Sequence, residues 1–307
     1  MNRQVKKRIV KILAYSVTTL GFIVVAAFLF LQIPAVQQAI ISRYLRTFSE
    51  ITGFKASIKD FQLLWFDRLE LRNLEVIDPE KNTMISIDNL LINFQISQLF
   101  EQRDINVDGV YLDAARVFVT RINESDTSRN LNINVFVNRI NENFAGKRSA
   151  TGRSPRINIG EAILNESAFT YVDQDRDSVK TGFNYNQFAV DIDEAQLQHF
   201  LALGDTIQFK VHTMLAKDSA TDFRIRQLST FFRISQQCLE FIDLELHAGK
   251  STITDTVLFS FESQRQLSEF NEKVNIHAHL KNTILYPEDL ELFFPAASRL
   301  SQPLVVA

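Results

Sequence analysis

From Phe54 onward, apolar and polar residues alternate in short runs, the period of a half-buried strand. The runs predict strands at Phe54 to Ile58, Leu69 to Val76, Met84 to Ile96, Ile105 to Leu112, Arg116 to Thr120 and Asn132 to Val137. They continue at Ala168 to Val172, Phe188 to Ile192, Ile207 to Leu215, Phe223 to Ser235, Leu239 to Leu246, Ser251 to Phe261 and Val274 to Leu280. Turn-forming clusters separate them, as in "DPEKN" (78–82), "DQDRDS" (173–178) and "HAGKS" (247–251). Two short helices are expected within this body, at Ile96 to Gln102 and Glu194 to Leu203.

Within several strands the alternation slips by one place. In "LELRNLEV", Leu69 and Leu71 share a face, and after Asn73 the phase passes to Leu74 and Val76. The slip recurs around Asn89 in "ISIDNLLI", Gly109 in "INVDGVYL" and Asp243 in "LEFIDLEL", and more weakly at Gln227 in "FRIRQLST". Asn, Asp and Gly tolerate left-handed backbone angles cheaply, so these positions predict kinks or bulges that curve a long sheet.

Before Phe54 the rhythm is helical or uniformly apolar. "ILAYSVTTLGFIVVAAFLFLQI" (12–33) is 22 residues of mostly apolar sequence without a charge, about the 20 needed to cross a hydrocarbon core as helix. It is longer than the roughly 7 to 15 apolar residues of a cleaved signal peptide, so an uncleaved signal anchor is expected. Arg3, Lys6, Lys7, Arg8 and Lys11 precede it, which holds the N-terminus on the cytoplasmic side. "AVQQAIISRYLRTFSEITG" follows Pro34 with Val36, Ile40, Tyr44, Phe48 and Ile51 at helical spacing. This amphipathic helix either lies on the membrane surface or caps the β body. The predicted organisation is therefore a cytoplasmic tail at 1–11, a transmembrane signal anchor at 12–33, an amphipathic helix at 34–53 and a first β segment at 54–140. A linker or exposed loop at 141–156 and a second β segment at 157–307 complete it.

Charge changes the picture by exclusion. The net charge of −3 hides the basic start, and the remainder carries 28 basic against 36 acidic residues. That balance disfavours nucleic acid, whose affinity rests on clustered Lys and Arg. One cysteine excludes an intrachain disulfide framework, and 26 Phe against 9 Gly suggest strands with a greasy face rather than loop-built nucleotide sites. Asp173, Asp175 and Asp177 begin like a calcium loop, but Ser178 and Asn184 stand where Gly and Glu are needed, so a solvated turn is expected. His277 and His279 share a strand face with no third ligand near in sequence. Cys238, beside Leu239 and Phe241, is expected to be a buried small hydrophobe. Asn123 and Asn165 lie in "NES" glycosylation sequons, to which no role is assigned. No catalytic, cofactor-binding or metal-ligating residue is assigned.

The stretch "TGFKASIKDFQLLWFDRLELRNLEVIDPEKNTMISIDNLLINFQISQLF", with the basic start, apolar segment and "IPAVQQAIISRYL" before it, resembles the N-terminal portion of AsmA-like proteins. Within that family it is most similar to the TamB group of Bacteroidetes-type bacteria, the inner-membrane subunits of the translocation and assembly module. "INVDGVYLDAARVFVTR" and "INIGEAILNESAFTYVDQD" look like later units of the same kind. The resemblance implies a mainly β, repeat-like fold: a single inner-membrane span and amphipathic helix, then an elongated, curved β-sheet groove in the periplasm. It implies phospholipid acyl chains lying in that groove, an outer-membrane barrel of the assembly-factor class as partner, and a role in lipid transport or outer-membrane protein assembly without enzymatic activity. The family's C-terminal domain is not recognisable, so the second β segment is expected to be incomplete. The alternative is a scaffold whose closed β body only binds envelope partners. The two differ in whether the apolar face, sampled by Leu71, Ile87 and Val107, is continuous and accessible.

Overall fold

A computed structural model describes residues 15, 18–23, 25–26, 29–65, 67–95, 104–125, 128–144, 156–178, 182–204, 206–263, 266 and 273–307. The expected membrane span lies partly outside these residues. Its described part up to Leu31 is helical and exposed, Leu20 at 63% and Phe22 at 73%. Among the described residues no helix is long and apolar enough to cross a membrane. The expected helix at Ile96 to Gln102 also lies outside them.

The first complete element is α1 (Pro34–Thr52), entered through a proline in its first turn and closed by Gly53 at φ 72°, whose N–H bonds the Ser49 carbonyl. Strands follow: β1 (Lys55–Leu64), β2 (Arg68–Ile77), β3 (Thr83–Asn93), β4 (Asp104–Asp113), β5 (Arg116–Ser125) and the short β6 (Ser128–Leu131). Helix α2 (Asn132–Phe144) interrupts them. Then come β7 (Arg156–Val172), β8 (Gln187–Leu203), β9 (Thr206–Asp218), β10 (Arg224–Ile234), β11 (Cys238–Ala248) and β12 (Ser251–Ser260). The chain continues through β13 (Asn275–Leu280), β14 (Thr283–Leu285), helix α3 (Pro287–Phe293) and β15 (Leu304–Val306).

The strands build one sheet in the order β1-β2-β3-β4-β7-β8-β9-β10-β11-β12-β14-β15, with β13 also on β12. Neighbours are antiparallel except at one seam, where β4 and β5, which together track a single line, pair in parallel with β7. A parallel pair needs a crossover, and β6, α2 and the segment after it supply it. The two β segments expected on either side of 141–156 are thus one continuous sheet. Helix α2 extends to Phe144 and β7 begins at Arg156, and 145–155 lie outside the described residues.

Two sequence expectations are corrected here. Asn132 to Val137 is helix, not strand. Asn132, fully buried, accepts hydrogen bonds on Oδ1 from the amides of Ile133 and Thr120 and donates from Nδ2 to the Phe118 carbonyl. It thereby anchors the start of α2. Val135 then reaches the cluster of Phe54, Val76, Met84 and Ile122 that seals this end of the sheet. Conversely, Glu194 to Leu203 is strand, the second half of the 17-residue β8.

The helices sit at the margins. Helix α1 lies along the outer edge of β1, where the Gln37 carboxamide accepts from the Leu63 amide and donates to the Leu63 carbonyl. Farther along, the Ser49 hydroxyl accepts from the Ala56 amide. The helix therefore occupies hydrogen-bonding positions that an edge strand leaves open. On this side α1 caps the β body, one of the two roles expected for it. Arg139 of α2 bonds the Thr52 carbonyl at 2.6 Å and stands 5.7 Å over the Phe54 ring, tying α2 to the end of α1.

Candidate functional site

The site is the sheet face itself, and the phase slips explain how it forms. Six successive strand positions carry the same apolar-polar-polar-apolar step, or close to it: Ile58 to Phe61, Leu71 to Leu74, Ile87 to Leu90, Leu112 to Ala115, Leu164 to Ser167 and Ile192 to Ala195. Register aligns them into one line across β1 to β8. Along that line the pairing omits the rungs Lys59/Asn73, Asn73/Asp88, Asp88/Ala114, Ala114/Glu166 and Glu166/Asp193. Asn73, Ala114 and Glu166 adopt φ of 50°, 51° and 46° there. A left-handed residue inside a strand lets two consecutive polar side chains turn outward while the apolar residues on both sides stay on one face. Leu69, Leu71 and Leu74 accordingly pack in one cluster with Ile85, Ile87, Leu90 and Ile92.

A second crease crosses the sheet at Asp108, Gly160 and His199, the last at φ 54°. A Cβ on Gly160 would meet the Asp108 carbonyl at 2.6 Å, so the close approach of the strands requires glycine there. On β11, Asp243 (φ 51°) sits in a bulge between Phe241 and Leu244. Of the kinks expected from sequence, those at Asn73 and Asp243 have left-handed backbone. At Asn89, Gly109 and Gln227 the backbone is not left-handed. The interruptions beside Asn89 and Gly109 fall on Asp88 and Asp108, and Gln227 follows a register shift after Ile225.

The creases leave cross-strand rows of apolar residues. One runs Phe61, Leu71, Leu90, Leu112, Leu164, Ala195, Met214, each directly opposite the next. Another runs Ile105, Ile157, Ala202, Ile207, Ile234, Leu239, Phe259. Between β8 and β12 a ladder of rings joins them. Phe200 stacks on Phe209 (6.0 Å) and Phe209 on Phe232 (4.7 Å), then Phe232 meets Phe241 and Phe241 meets Phe259 edge to face. All five rings are half-buried. Among the described residues no second layer packs over the middle of this face between β8 and β11; α1 and α2 pack on β1, β5 and β6, and the last helix lies at the strand ends beside Phe223 and Ser251. The opposite face carries polar cross-strand pairs such as Arg233 with Glu240, Gln196 with Glu161 and Asn165 with Asp113.

One end of the face is closed. Phe183 contacts Phe188 (5.4 Å) and Phe293 (5.3 Å), and Phe293 in turn reaches Phe223 (5.3 Å), so α3 lies across the strand ends. The Asp289 carboxylate pins it by accepting from the Lys250 amide and the Ser251 hydroxyl. Nearby, burial and then the neighbouring Asp173 charge push the Tyr171 phenol above its ordinary pKa, so it stays a neutral lining group.

The residues considered for other chemistry are engaged elsewhere. Asp173 is buried against Arg121 (3.0 Å) and Arg176 (3.6 Å), and Asp175 pairs with Arg129, so two of the loop's three carboxylates turn to arginines. His279 Nδ1 lies 3.0 Å from Asp255, which also takes the Lys281 ammonium; chiefly that Lys281 hydrogen bond holds the Asp255 carboxyl below its usual range. His277 stands exposed on β13 opposite Leu258. Among the described residues no cluster of three or more His, Cys, Asp or Glu is arranged to hold a metal. Cys238 is half-buried rather than buried, with its sulfur 3.1 Å from the Ser235 hydroxyl in the β10–β11 turn. Asn123 bonds Glu80, and Asn165 bonds Asp113.

The chain matches no known family model and no curated protein. The apolar face is therefore interpreted on its own geometry. Leu71 and Ile87 prove to be buried while Val107 is half-exposed. The ring ladder went unnoticed in the sequence, although Phe209, Phe232, Phe241 and Phe259 each fall in an expected strand. Their partnership depends on register, which a strand-by-strand scan does not supply.

Proposed function

We propose that this chain is an AsmA-like, TamB-type envelope protein whose open apolar face carries the acyl chains of phospholipids. In this reading residues 12–33 anchor it in the inner membrane with the N-terminus cytoplasmic. The sheet stands in the periplasm and passes lipid toward the outer membrane, or assists assembly of outer-membrane proteins, with a barrel of the assembly-factor class as partner. The observation that carries the proposal is the half-exposed ring ladder from Phe200 to Phe259, continuous with apolar rows reaching β1 and backed by a polar opposite face. Such a surface needs no catalytic group. It lowers the cost of holding an acyl chain outside a bilayer by about 0.8 kcal/mol per buried CH₂.

The test is photocrosslinking in intact membranes from the full chain, with a benzophenone amino acid replacing either Phe232, on the apolar face, or Lys210, on the opposite one. Phospholipid adducts at 232 and none at 210, read by mass spectrometry, are expected. Protein adducts in place of lipid at 232 would support the scaffold instead, and equal lipid labelling at both positions would show mere proximity to membrane.

A further inference from the structure

The chain has a single tryptophan, Trp65, and the fold spends it at the tip of the β1–β2 hairpin, 80% exposed and at φ 49°. A bulky residue in the left-handed region is a true outlier. Its location does suggest a reason. Gln37 Nε2 donates both to the Leu31 carbonyl (2.9 Å), at the end of the apolar N-terminal helix, and to the Leu63 carbonyl, two residues before Trp65. One buried carboxamide thus clamps together the end of the apolar segment, the start of α1 and the hairpin that carries the indole.

A flank of α1 continues the same surface. Ile40 (43%), Tyr44 (69%) and Ile51 (42%) are exposed at helical spacing, along the border of the side on which Gln37, Phe48 and Thr52 face the sheet. Arg43 and Arg46 are exposed on the outer side of α1, together with Glu50. Indole, phenol and aliphatic groups bordered by guanidinium groups match the head-group zone of an anionic bilayer: the rings sit between water and hydrocarbon, and the arginines meet lipid phosphates.

We infer that the β1–β2 hairpin is a second membrane contact, with Trp65 inserted at head-group depth beside the anchor and the exposed flank of α1 carrying Ile40 and Tyr44 against the same leaflet. This rests on the reading of 12–33 as a membrane anchor. The contact fixes the first strands of the sheet against the bilayer, so that the apolar face begins where lipid is available rather than at the end of a loose tether.

Because Trp65 is the only tryptophan, its fluorescence reports this contact without any mutation. The full chain is reconstituted in vesicles of phosphatidylethanolamine and phosphatidylglycerol whose acyl chains carry bromine either near the head group or near the methyl end. The expected result is a blue-shifted emission, lost mostly to the shallow bromine, weakly to the deep one and little to aqueous iodide. Emission of a water-exposed indole, quenched by iodide and by neither bromine, in protein that floats with the vesicles overturns the hairpin contact and leaves the anchor standing. Emission shielded from iodide and both bromines also overturns it, by placing the indole against protein. Failure of the chain to float overturns the anchor and the contact together. Lipid crosslinking at Phe232 is read separately, so loss of carriage and loss of contact remain distinguishable.

Discussion

Ala114 holds the first crease at φ 51° and is half-buried there. For an L-residue this region costs on the order of 1 to 2 kcal/mol through the clash of Cβ with its own carbonyl, and Gly escapes it. Ala114→Gly should therefore stabilise the protein by about 1 kcal/mol, although the more flexible unfolded chain offsets part of the gain. Ala114→Val adds a β-branched side chain in the same conformation and should cost about 1 to 2 kcal/mol. Urea unfolding followed by circular dichroism checks both. If the crease is an incidental bend, the two variants will shift the midpoint alike; opposite shifts are expected. Asn73 and Asp243 are the residues of this set that a sequence reader recognises, because Asn and Asp are known to tolerate such angles. Ala114, Glu166 and His199 give no such signal. At those places the sheet imposes the angle, since a crease begun on one strand must be continued by its neighbours.

Elements were legible in proportion to how local their cause is. The turns, α1 and most strands follow from periodicity, Pro34 and Gly53, whereas β7 begins at Arg156, well before the expected Ala168, and β6, β14 and β15 lie outside the expected runs. The two errors have different physical origins. A crease puts inward apolar residues three places apart, as Leu197 and Phe200 are, and that spacing imitates the i, i+3 step of a helix; hence the helix expected at Glu194 to Leu203. In Asn132 to Val137 the alternation of Ile133, Val135 and Val137 imitates a strand, while the deciding interactions of Asn132 with Thr120 and Phe118 come from residues 12 and 14 places away. The role of α1 was equally hidden, because it depends on one residue meeting the edge of a strand 26 positions distant. Gln37→Ala removes a donor and an acceptor from the Leu63 backbone. It should cost about 1 to 3 kcal/mol, the usual penalty for unsatisfied polar groups in a shielded place. It should also free part of the β1 edge to pair with another chain. Sedimentation of the detergent-solubilised chain is expected to show concentration-dependent association for this variant and none for wild type, with Gln37→Glu intermediate because it keeps the acceptor and loses the donor.

At the scale of the whole molecule the decisive property is that one sheet has been left largely single-layered. The chain exposes 20144 Å², against roughly 13,000 Å² for a compact fold of this mass by the usual area scaling. Part of the excess is the apolar N-terminal helix, and part is the sheet. Among the described residues only eighteen apolar side chains are buried, six of them alanine, so large side chains have been kept out of a closed core. Stability in such a body comes mainly from strand pairing and from the clusters around Met84 and Leu71, and much less from the ladder of half-exposed rings. That separation makes a sharp prediction about charge. Leu71→Asp would bury a carboxylate in the cluster with Ile87 and Leu90, a cost comparable with the whole stability of a domain, and the protein should lose its β circular dichroism. Phe232→Asp combined with Phe241→Asp places two carboxylates on the open face, where water can solvate them, and forfeits about 1 to 2 kcal/mol of ring burial at each site. The β spectrum should survive in the double variant, while transfer of fluorescent phospholipid between vesicles falls to background, because an acyl chain crossing the face would have to pass two desolvated charges. If the double variant keeps both its fold and its full transfer rate, the ring ladder is not the route taken by lipid, and the apolar face must serve a protein partner instead.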